Sequence, residues 1–354
     1  MRILFVAPSY YPHVGGVEYV VKSVAERLAK LGHEVAVLAG EPGAEAPREE
    51  EVNGVRVVRW PVWSPGGAYH VPRARRRLEA LVRDEARVAD VIHLHSVHSV
   101  FTMHVLRAAG GVGARKVLTP HYHGTGHTPV RRALWTAWRI AVRRLLKDVD
   151  VVHAVSPYEA ELVEKHFGRR PVVVEHGVEE WITSVEWRPE NYVMYSGRIE
   201  KYKNVHRLGN IVKLLNERGH DLELRIYGDG PYRRELERRL KRAGVKHVVE
   251  PPQPYEKYIE ALSRAALFAL LSEKEAFGQT INEANAVGTP AVAAEPWGKN
   301  FAGRPRTLIV PLQGPDEIIA DKIKRFLEIV PSKPKPIVPT WSQVVARYLS
   351  ALYI

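Results

Sequence analysis

The feature that most constrains the fold is a regular alternation of short β-branched runs with stretches of helical periodicity. In the first half of the chain, apolar runs predict strands at 3–8, 34–39, 55–60, 91–95, 116–119, 151–155 and 172–175. Several of them are apolar throughout, which is typical of strands buried on both faces of a parallel sheet. Helical stretches such as 17–31 and 159–167 separate them. This alternation predicts a doubly wound α/β fold.

A second series of the same kind follows a break in the rhythm at 181–190. It predicts strands at 192–196, 222–227, 246–250, 267–271, 291–294 and 308–310, with helices at 205–218, 232–243 and 280–287. A length of 354 residues suits two domains. We therefore expect a first domain over 1–180, a second over 190–335 and an amphipathic last helix over 340–354.

The composition narrows the chemistry. The net charge of +12 favours anionic partners, namely a nucleotide, a phospholipid surface or nucleic acid, although a solvated basic surface is the plain alternative. The absence of cysteine excludes disulfides, thiolate metal sites and a cysteine nucleophile, and with three methionines it suggests a thermophilic origin. No leader or membrane-spanning run is evident, so we expect a cytoplasmic protein.

Glycines and cations follow several predicted strands, at the edge where an open α/β sheet binds its ligands. Gly15 and Gly16 open the first helix, where backbone can approach a phosphate. Arg198 and Lys203 follow the first strand of the second series, and their charges suit a diphosphate. Gly228 ends the next strand in a turn that could approach the same ligand. Tight turns and solvated cations are the alternative interpretation of each feature.

The segment 272–284 carries the most specific pattern. A strand ends at its start and a helix begins near its middle, which leaves backbone amides free to bind a phosphate. These amides belong to Gly278, Gln279 and Thr280. Glu275 precedes the helix and Glu283 lies about one turn inside it, so one carboxylate could hold sugar hydroxyls and the other ribose hydroxyls. Glutamate in a first turn is also favourable for dipole reasons alone, but the adjacent Phe277 and Gly278 favour a binding loop.

Four segments together resemble the glycosyltransferases of family 4, and the resemblance covers essentially the whole chain. They are VGGVE at 14–18, SGRIEKYKN at 196–204, IYGDGP at 226–231 and EAFGQTINE at 275–283, whose paired glutamates are the most specific. The resemblance implies the GT-B fold, in which two Rossmann-like domains face a cleft. The ending TWSQVVARYLSALY at 340–353 is similar to the family's last helix, which crosses back to the first domain.

The resemblance also implies a retaining, metal-independent transfer from a nucleotide sugar, without a cofactor. Arg198 and Lys203 would stabilise the leaving diphosphate, and Gly16 would lie at the donor phosphates. Glu275 would hold the donor sugar and Glu283 the ribose. The first domain would bind the acceptor.

A histidine near the sugar is a further feature of the family. His121, in LTPHYHG after a predicted strand, matches it, and His123 competes for the same role. Two departures stand against these matches. Glu175-His176-Gly177 replaces the Pro-Asn-Gly that often follows the last strand of the first domain, and 291–305 lacks the usual acidic-glycine turn.

Two basic helices are predicted in the first domain, and they suggest an anionic membrane surface as a further partner. In the helix at 131–147, Leu134, Trp135 and Trp138 share an apolar face opposite several arginines. An ordinary helix that packs this face on the sheet is the alternative. The residues assigned to a membrane or acceptor surface are Arg73, Arg76, Arg77, Arg132, Arg139 and Arg143.

The favoured function is a nucleotide-sugar-dependent transfer to a lipid-linked or glycan acceptor, in the cytoplasm or peripherally at the inner membrane face. A nucleotide-sugar epimerase of the same fold would change the donor without an acceptor. A non-catalytic anion-binding protein is the third function considered. Nucleic acid is not expected as a partner, because no nucleic-acid motif or interleaved aromatic platform is present.

Overall fold

The computed structural model of the chain describes residues 1–13, 15–67, 69–124, 126 and 129–354, except for the side chains of 66 and 129–132. The chain forms two compact units: Met1–His176 together with Trp341–Ile354, and Gly177–Thr340. We call them the N-terminal and C-terminal units. The segment 181–190, where the alternation of predicted strands and helices breaks, lies inside the C-terminal unit, and Glu180–Ser184 forms a 3₁₀ turn.

The N-terminal unit is built on one mainly parallel sheet. Its strands are β1 (Arg2–Ala7), β2 (Glu34–Pro42), β3 (Arg48–Val52), β4 (Val55–Trp63), β5 (Val71–Pro72), β6 (Val91–His95), β7 (Arg115–Thr119), β8 (Val151–Ala154) and β9 (Val172–Val173). They run in the order β3-β4-β2-β1-β6-β7-β8-β9, with β3 and β5 antiparallel to β4. The helices are α1 (Gly16–Lys30), α2 (Arg75–Val88), α3 (Val100–Ala108), α4 (Pro129–Leu145) and α5 (Pro157–Phe167).

The C-terminal unit repeats the doubly wound plan with a fully parallel sheet. Its strands are β10 (Glu190–Ser196), β11 (Glu223–Tyr227), β12 (His247–Glu250), β13 (Ala265–Leu270), β14 (Ala291–Ala294) and β15 (Thr307–Val310). Its helices are α6 (Val205–Glu217), α7 (Arg233–Ala243), α8 (Tyr255–Arg264), α9 (Gln279–Val287) and α10 (Asp316–Ile329). The order is β12-β11-β10-β13-β14-β15, which reverses between β10 and β13. The loops after these two strands therefore leave in opposite directions and open a crevice at the carboxyl edge.

The last helix, α11 (Trp341–Ala351), belongs to the N-terminal unit. Trp341, Val344 and Tyr348 join the apolar core that also holds α1 and one face of the sheet. The opposite face packs against α2 to α5 in a second core. A hydrophobic layer on each face explains why the central strands are apolar throughout.

Each predicted strand and each predicted helix considered above is present, with ends that differ by a few residues. Two strands were not predicted. β3 has the sequence REEEV and is almost fully exposed, so it lacks the apolar alternation that indicates a strand. β5 has two residues and is too short to carry a pattern. None of the helices in the described part of the chain is both long enough and apolar enough to cross a membrane.

Candidate active site

The loops that follow β10 and β13 meet in the crevice of the C-terminal unit. The Asn204 side chain donates a hydrogen bond to the Leu271 carbonyl oxygen (3.0 Å), and the backbone N–H of Glu273 donates to the Tyr202 carbonyl oxygen (3.0 Å). These bonds join two loops that are far apart in sequence, and the first bond spans 67 residues. They bring the predicted diphosphate loop beside the predicted sugar loop.

An ion pair spans these loops. Lys203 Nζ donates to Glu275 Oε1 at 2.5 Å, and the two side chains are 13% and 20% exposed. Burial lowers the pKa of Lys203, but the Glu275 carboxylate and the Tyr202 and Tyr195 phenols outweigh it and raise that pKa above its ordinary value. Lys203 is therefore a permanent cation, held where a carboxylate already neutralises part of its charge.

Arg198 lies on the same loop and is much more accessible. Its guanidinium pairs with Glu200 at 2.9 Å and is 74% exposed. Gly228 supports this loop from the next strand, since a Cβ there would lie 2.0 Å from the Gly197 carbonyl oxygen. The glycine at the end of β11 is thus required by the close approach of two loops, and a ligand is not needed to explain it.

The N-terminus of α9 faces the same region of the C-terminal unit. Gly278 adopts a left-handed conformation (φ +101°), and a Cβ there would meet the Trp297 ring at 2.7 Å. The N–H groups of Gly278, Gln279 and Thr280 precede the first intrahelical bonds and can donate hydrogen bonds to an anion. Phe277 is 3% exposed and packs against Phe301, with ring centroids 5.4 Å apart. Its side chain therefore supports the loop from the core, and its assignment to the donor site stays a prediction.

Glu283 is buried and held by two tyrosines. Tyr255 Oη donates to Oε1 (3.0 Å) and Tyr258 Oη donates to Oε2 (2.9 Å). Burial raises the pKa of Glu283 to about 7, although the hydrogen bonds from Tyr258, Tyr255 and Gln279 lower it. Gln279 also donates from Nε2 to the Gly177 carbonyl oxygen (2.9 Å). The sequence reasoning missed both tyrosines; their spacing of three on a helix was the available signal.

In the N-terminal unit, Gly15 and Gly16 differ in what they accommodate. Gly15 is the N-cap of α1, and a Cβ there would lie 2.3 Å from a Glu18 carboxylate oxygen. A Cβ at Gly16 would meet nothing within 4 Å of the described atoms. Gly15 thus makes room for Glu18, whose pKa is raised by burial, whereas the approach to Gly16 is open. Val14, the first residue of the VGGVE motif, lies outside the described residues.

His121 follows β7 and lies in a group of histidine rings. The Nδ1 atom of His95 lies 3.0 Å from the Nε2 atom of His121, and the two rings are stacked. Burial lowers the pKa of His121 to about 3, with a smaller contribution from His153. The imidazole is therefore neutral at physiological pH. His123 lies elsewhere in the loop, where its ring stacks on His98 with centroids 4.6 Å apart.

A buried hydrogen-bond chain runs beneath this group. The links are Tyr353 Oη to His93 Nδ1, His93 Nε2 to Thr119 Oγ1, and Thr119 Oγ1 to His153 Nδ1, each 2.7 Å. The last link, from His153 Nε2 to the Val174 carbonyl oxygen, is 2.9 Å. A carbonyl can only accept, so His153 is protonated on Nε2, and this assigns every other donor back to the Tyr353 hydroxyl. Among the described residues, no group of three His, Asp or Glu side chains could hold a metal ion.

The apolar face of α4 is only partly covered. Trp135, Trp138 and Leu145 pack on the core, as the alternative of an ordinary packed helix predicts, whereas Leu134 is 59% exposed. Arg139 donates from Nε to Tyr122 Oη (2.9 Å) and from Nη2 to the Gly124 carbonyl oxygen (2.6 Å). The guanidinium thus braces a loop of its own unit while it stays half-exposed, and its assignment to a membrane surface stays a prediction.

The remaining assigned arginines divide into three cases. Arg143 is exposed, and its Nε lies 3.4 Å from the Phe167 carbonyl oxygen. The side chain of Arg132 lies outside the described residues. Arg73, Arg76 and Arg77 are exposed before and within the first turn of α2, and no ion pair found among the described residues involves them.

Two family models match the chain, one over each half. Glycosyltransferase Family 4 matches residues 14–180, and Glycosyl transferases group 1 matches residues 178–331. Among similar proteins, a GDP-mannose-dependent alpha-mannosyltransferase of Mycolicibacterium smegmatis is 30% identical, over 88% of this chain and 82% of its own length. A D-inositol 3-phosphate glycosyltransferase of Corynebacterium urealyticum is 27% identical, over 81% of this chain and 76% of its length.

Solved structures show the same fold. Sucrose-phosphate synthase of Thermosynechococcus elongatus superposes with a TM-score of 0.74 at 18% identity, covering 100% of this chain and 98% of that one. Anabaena HepE in complex with UDP and glucose has a TM-score of 0.72 at 18% identity, covering 99% and 100%. Two doubly wound units of this kind are the GT-B fold. The matching family model and the named relatives make the chain a nucleotide-sugar glycosyltransferase. The chain belongs to glycosyltransferase family 4.

Proposed function

We propose that the chain transfers a sugar from a nucleoside-diphosphate sugar to a lipid-linked or glycan acceptor, with retention of anomeric configuration and without a metal or other cofactor. The observation that carries the proposal is the Lys203–Glu275 pair beside the N-terminus of α9, at the point where the C-terminal sheet reverses its strand order. One permanent cation, a helix N-terminus and a carboxylate there suit a diphosphate joined to a sugar.

In this proposal the C-terminal unit binds the donor. Lys203 and Arg198 offset the charge that develops on the departing diphosphate, with the α9 amides as further donors. Lys203 has three N–H donors, so it can bind a phosphate oxygen and Glu275 together. The other oxygen of Glu275 accepts from sugar hydroxyls. Glu283, already oriented by two tyrosines, accepts from the ribose hydroxyls.

The N-terminal unit supplies Gly16 and His121. We propose that the open backbone at Gly16 approaches the donor phosphates and that the neutral imidazole of His121 bonds a sugar hydroxyl. Acceptor attack then takes place on the face that the diphosphate leaves, so the leaving phosphate receives the acceptor proton. This accounts for retention without an enzyme nucleophile.

GDP-mannose is the first donor to test, because the 30% identical relative is named as GDP-mannose-dependent. The test measures melting temperature with GDP, UDP, ADP and their sugars in the presence of EDTA. A ligand that binds only the folded state adds about 2.7 kcal/mol of stability when its concentration is 100 times Kd. We expect one nucleotide series to raise the melting temperature. No shift with any of them at millimolar concentration would contradict the donor site.

The active donor is then incubated with and without acceptor, and the anomeric proton of the product is followed by NMR. Retention in EDTA supports the mechanism. Inversion, or activity that requires a divalent ion, would overturn it. Conversion of the donor sugar without an acceptor would favour the epimerase.

We also propose that exposed arginines of the N-terminal unit hold the chain at an anionic membrane surface, where a lipid-linked acceptor lies. Arg73, Arg76 and Arg77 are accessible for this purpose, and each cation near such a surface contributes about 1 kcal/mol. The test is flotation with phosphatidylglycerol and phosphatidylcholine vesicles. Replacing these three arginines by Glu should abolish binding to the anionic vesicles.

A matched control changes the same charge elsewhere. Arg234, Lys241 and Arg242 are exposed on α7 of the C-terminal unit, and their replacement by Glu should leave vesicle binding largely intact. Equal losses in the two triple variants would indicate an effect of net charge alone and would contradict a specific surface.

A further inference from the structure

We propose that Glu159, a buried carboxylate of the N-terminal unit, is a positioning residue for His121. It holds the loop after β7 in the backbone conformation that presents the imidazole. The functional consequence rests on the proposed role of His121, but the positioning itself can be measured without any assay of activity.

His121 has an unusual backbone. Its φ is +49°, in the left-handed region that favours glycine. A non-glycine residue persists there only where its surroundings fix it, and such residues concentrate at functional sites. The chain could return to an ordinary conformation by rotating either peptide group that flanks His121. The contacts of these two groups are therefore what hold the residue in place.

Side chains from two other elements hold the backbone at His121 and at the residue after it. His98 Nε2, just before α3, donates to the His121 carbonyl oxygen (3.2 Å). The next N–H, that of Tyr122, donates to Glu159 Oε1 (2.5 Å), across 37 residues of sequence. Both atoms belong to the peptide group between His121 and Tyr122. That peptide group is thus held on its oxygen by an imidazole and on its nitrogen by a carboxylate.

The carboxylate is itself firmly placed. Glu159 is fully buried, and its Oε2 accepts the Val155 N–H (2.7 Å) at the end of β8. The Ser156 hydroxyl accepts the Glu159 N–H (3.0 Å) and caps α5. The helix start is therefore capped by Ser156, and the bond to Tyr122 is an additional, long-range use of the glutamate.

The chemistry of the site requires two acceptors. Two backbone N–H groups point at the two oxygens, and a carboxylate can accept from both. Burial raises the pKa of Glu159 to about 8, against the two N–H bonds, which favour the ionised form and lower it. The variants are therefore compared at about pH 9, where Glu159 is a carboxylate that accepts from both groups. An amide in its place has one oxygen and one NH₂, so one backbone N–H would face another donor. Glu159→Gln therefore keeps the shape of the side chain and removes one of its two bonds.

The experiment compares four variants of the full chain. Glu159→Gln weakens the hydrogen bond from the Tyr122 N–H. Ser156→Ala removes the α5 cap but leaves that hydrogen bond intact. Glu164→Gln changes an exposed glutamate of the same helix and is the matched control. His121→Ala assigns the His121 ring signal in protein labelled with ¹⁵N-histidine, by its disappearance.

We expect the His121 ring resonances to shift in Glu159→Gln and to stay in place in Ser156→Ala and Glu164→Gln. In the transferase assay Glu159→Gln should lower kcat by about 10²-fold with a nearly unchanged KM for the donor, since displacement of a catalytic group by about 1 Å has an effect of that size. Ser156→Ala should lower the melting temperature and leave kcat of the folded protein close to the wild-type value.

Two results would overturn the inference. An unchanged His121 resonance in Glu159→Gln means that the carboxylate does not position the ring. Equal effects of Glu159→Gln and Ser156→Ala on kcat and on melting temperature mean that Glu159 contributes to stability alone. If His121→Ala retains full activity, the proposed catalytic role of His121 fails, and the NMR comparison still decides whether Glu159 positions it.

Discussion

The carboxyl edges of the two sheets carry different chemistry on the same kind of scaffold. In the C-terminal unit the loops present charges: the Lys203–Glu275 pair, Arg198 and the helix N-terminus at Gly278. In the N-terminal unit, His93, His121 and His153 lie near the carboxyl ends of β6, β7 and β8, and burial lowers their pKa values. One edge is ionic and the other is polar but neutral.

The difference indicates a division of labour. A diphosphate needs permanent positive charge, which Lys203 retains because Glu275 compensates for its burial. A sugar hydroxyl needs hydrogen bonds, and a neutral imidazole offers one donor and one acceptor without charge. Burial thus has opposite consequences in the two units, since it selects paired charges in one and neutral rings in the other.

The largest expected effect comes from breaking the ion pair. Glu275→Ala should lower transfer by about 10²- to 10³-fold, the size found when one preorganised polar group of an active site is removed. The chain should still fold, because the pair is partly exposed. Steady-state kinetics measure the loss, and Glu273→Ala, which changes an exposed neighbour, should behave as wild type. A Glu275→Ala variant with full transferase activity would contradict the assignment of this site.

A titration at Glu283 tests the buried carboxylate of the C-terminal unit. Its pKa is about 7 when folded against an ordinary value of 4.5, so the folded state favours the neutral form. The stability it contributes is complete below pH 4.5 and is lost as pH rises towards 7, by about 3 kcal/mol. Chemical unfolding of wild type and Glu283→Gln across this range should show a difference of that sign. If the unfolding free energies of the two proteins change in parallel with pH, Glu283 is not held neutral.

The histidines of the N-terminal unit should respond to pH in the opposite direction. Burial lowers the pKa of His153 to about 4 from 6.5. Its contribution is complete above pH 6.5 and is lost as pH falls towards 4, again by about 3 kcal/mol. His153→Gln should flatten the acid side of the stability curve measured by chemical unfolding. If the stability of His153→Gln falls as steeply with decreasing pH as that of the wild type, His153 is not responsible for the loss of stability in acid.

The smallest effect is expected at the end of the hydrogen-bond chain. Tyr353→Phe removes the donor to His93 and leaves its buried Nδ1 acceptor without that bond, so it should cost about 2 kcal/mol of unfolding free energy. Tyr348→Phe is the matched control, because the Tyr348 hydroxyl is buried and no partner is found for it among the described residues. Thermal unfolding should therefore separate the two substitutions, with Tyr348→Phe neutral or slightly stabilising. Equal losses of unfolding free energy in the two variants would contradict the hydrogen bond from Tyr353 to His93.

The placement of the predicted residues shows how much of a site a local sequence pattern can predict. Lys203 and Glu275 were predicted from their positions after two strands, because the carboxyl ends of parallel strands share one edge of a sheet. Tyr255, Tyr258 and Glu159 were not predicted as site residues. Their importance depends on which buried groups they meet. The spacing of Tyr255 and Tyr258 indicates only that they share one face of a helix, not that Glu283 lies against it. Arg139 shows the same limit, since the helical pattern that assigned it to a surface did not indicate the hydrogen bond that it donates to Tyr122.

By itself the sequence determined the doubly wound architecture, the family and the loop proposed to bind the donor, because periodicity, strand-end position and motif are local properties of the chain. Tertiary structure decided what surrounds each polar side chain. It buried His121 among histidines, paired Lys203 with Glu275, and joined Glu159 to a peptide group 37 residues away. Charge state and orientation follow from burial and from long-range partners, and these exist only once the chain has folded.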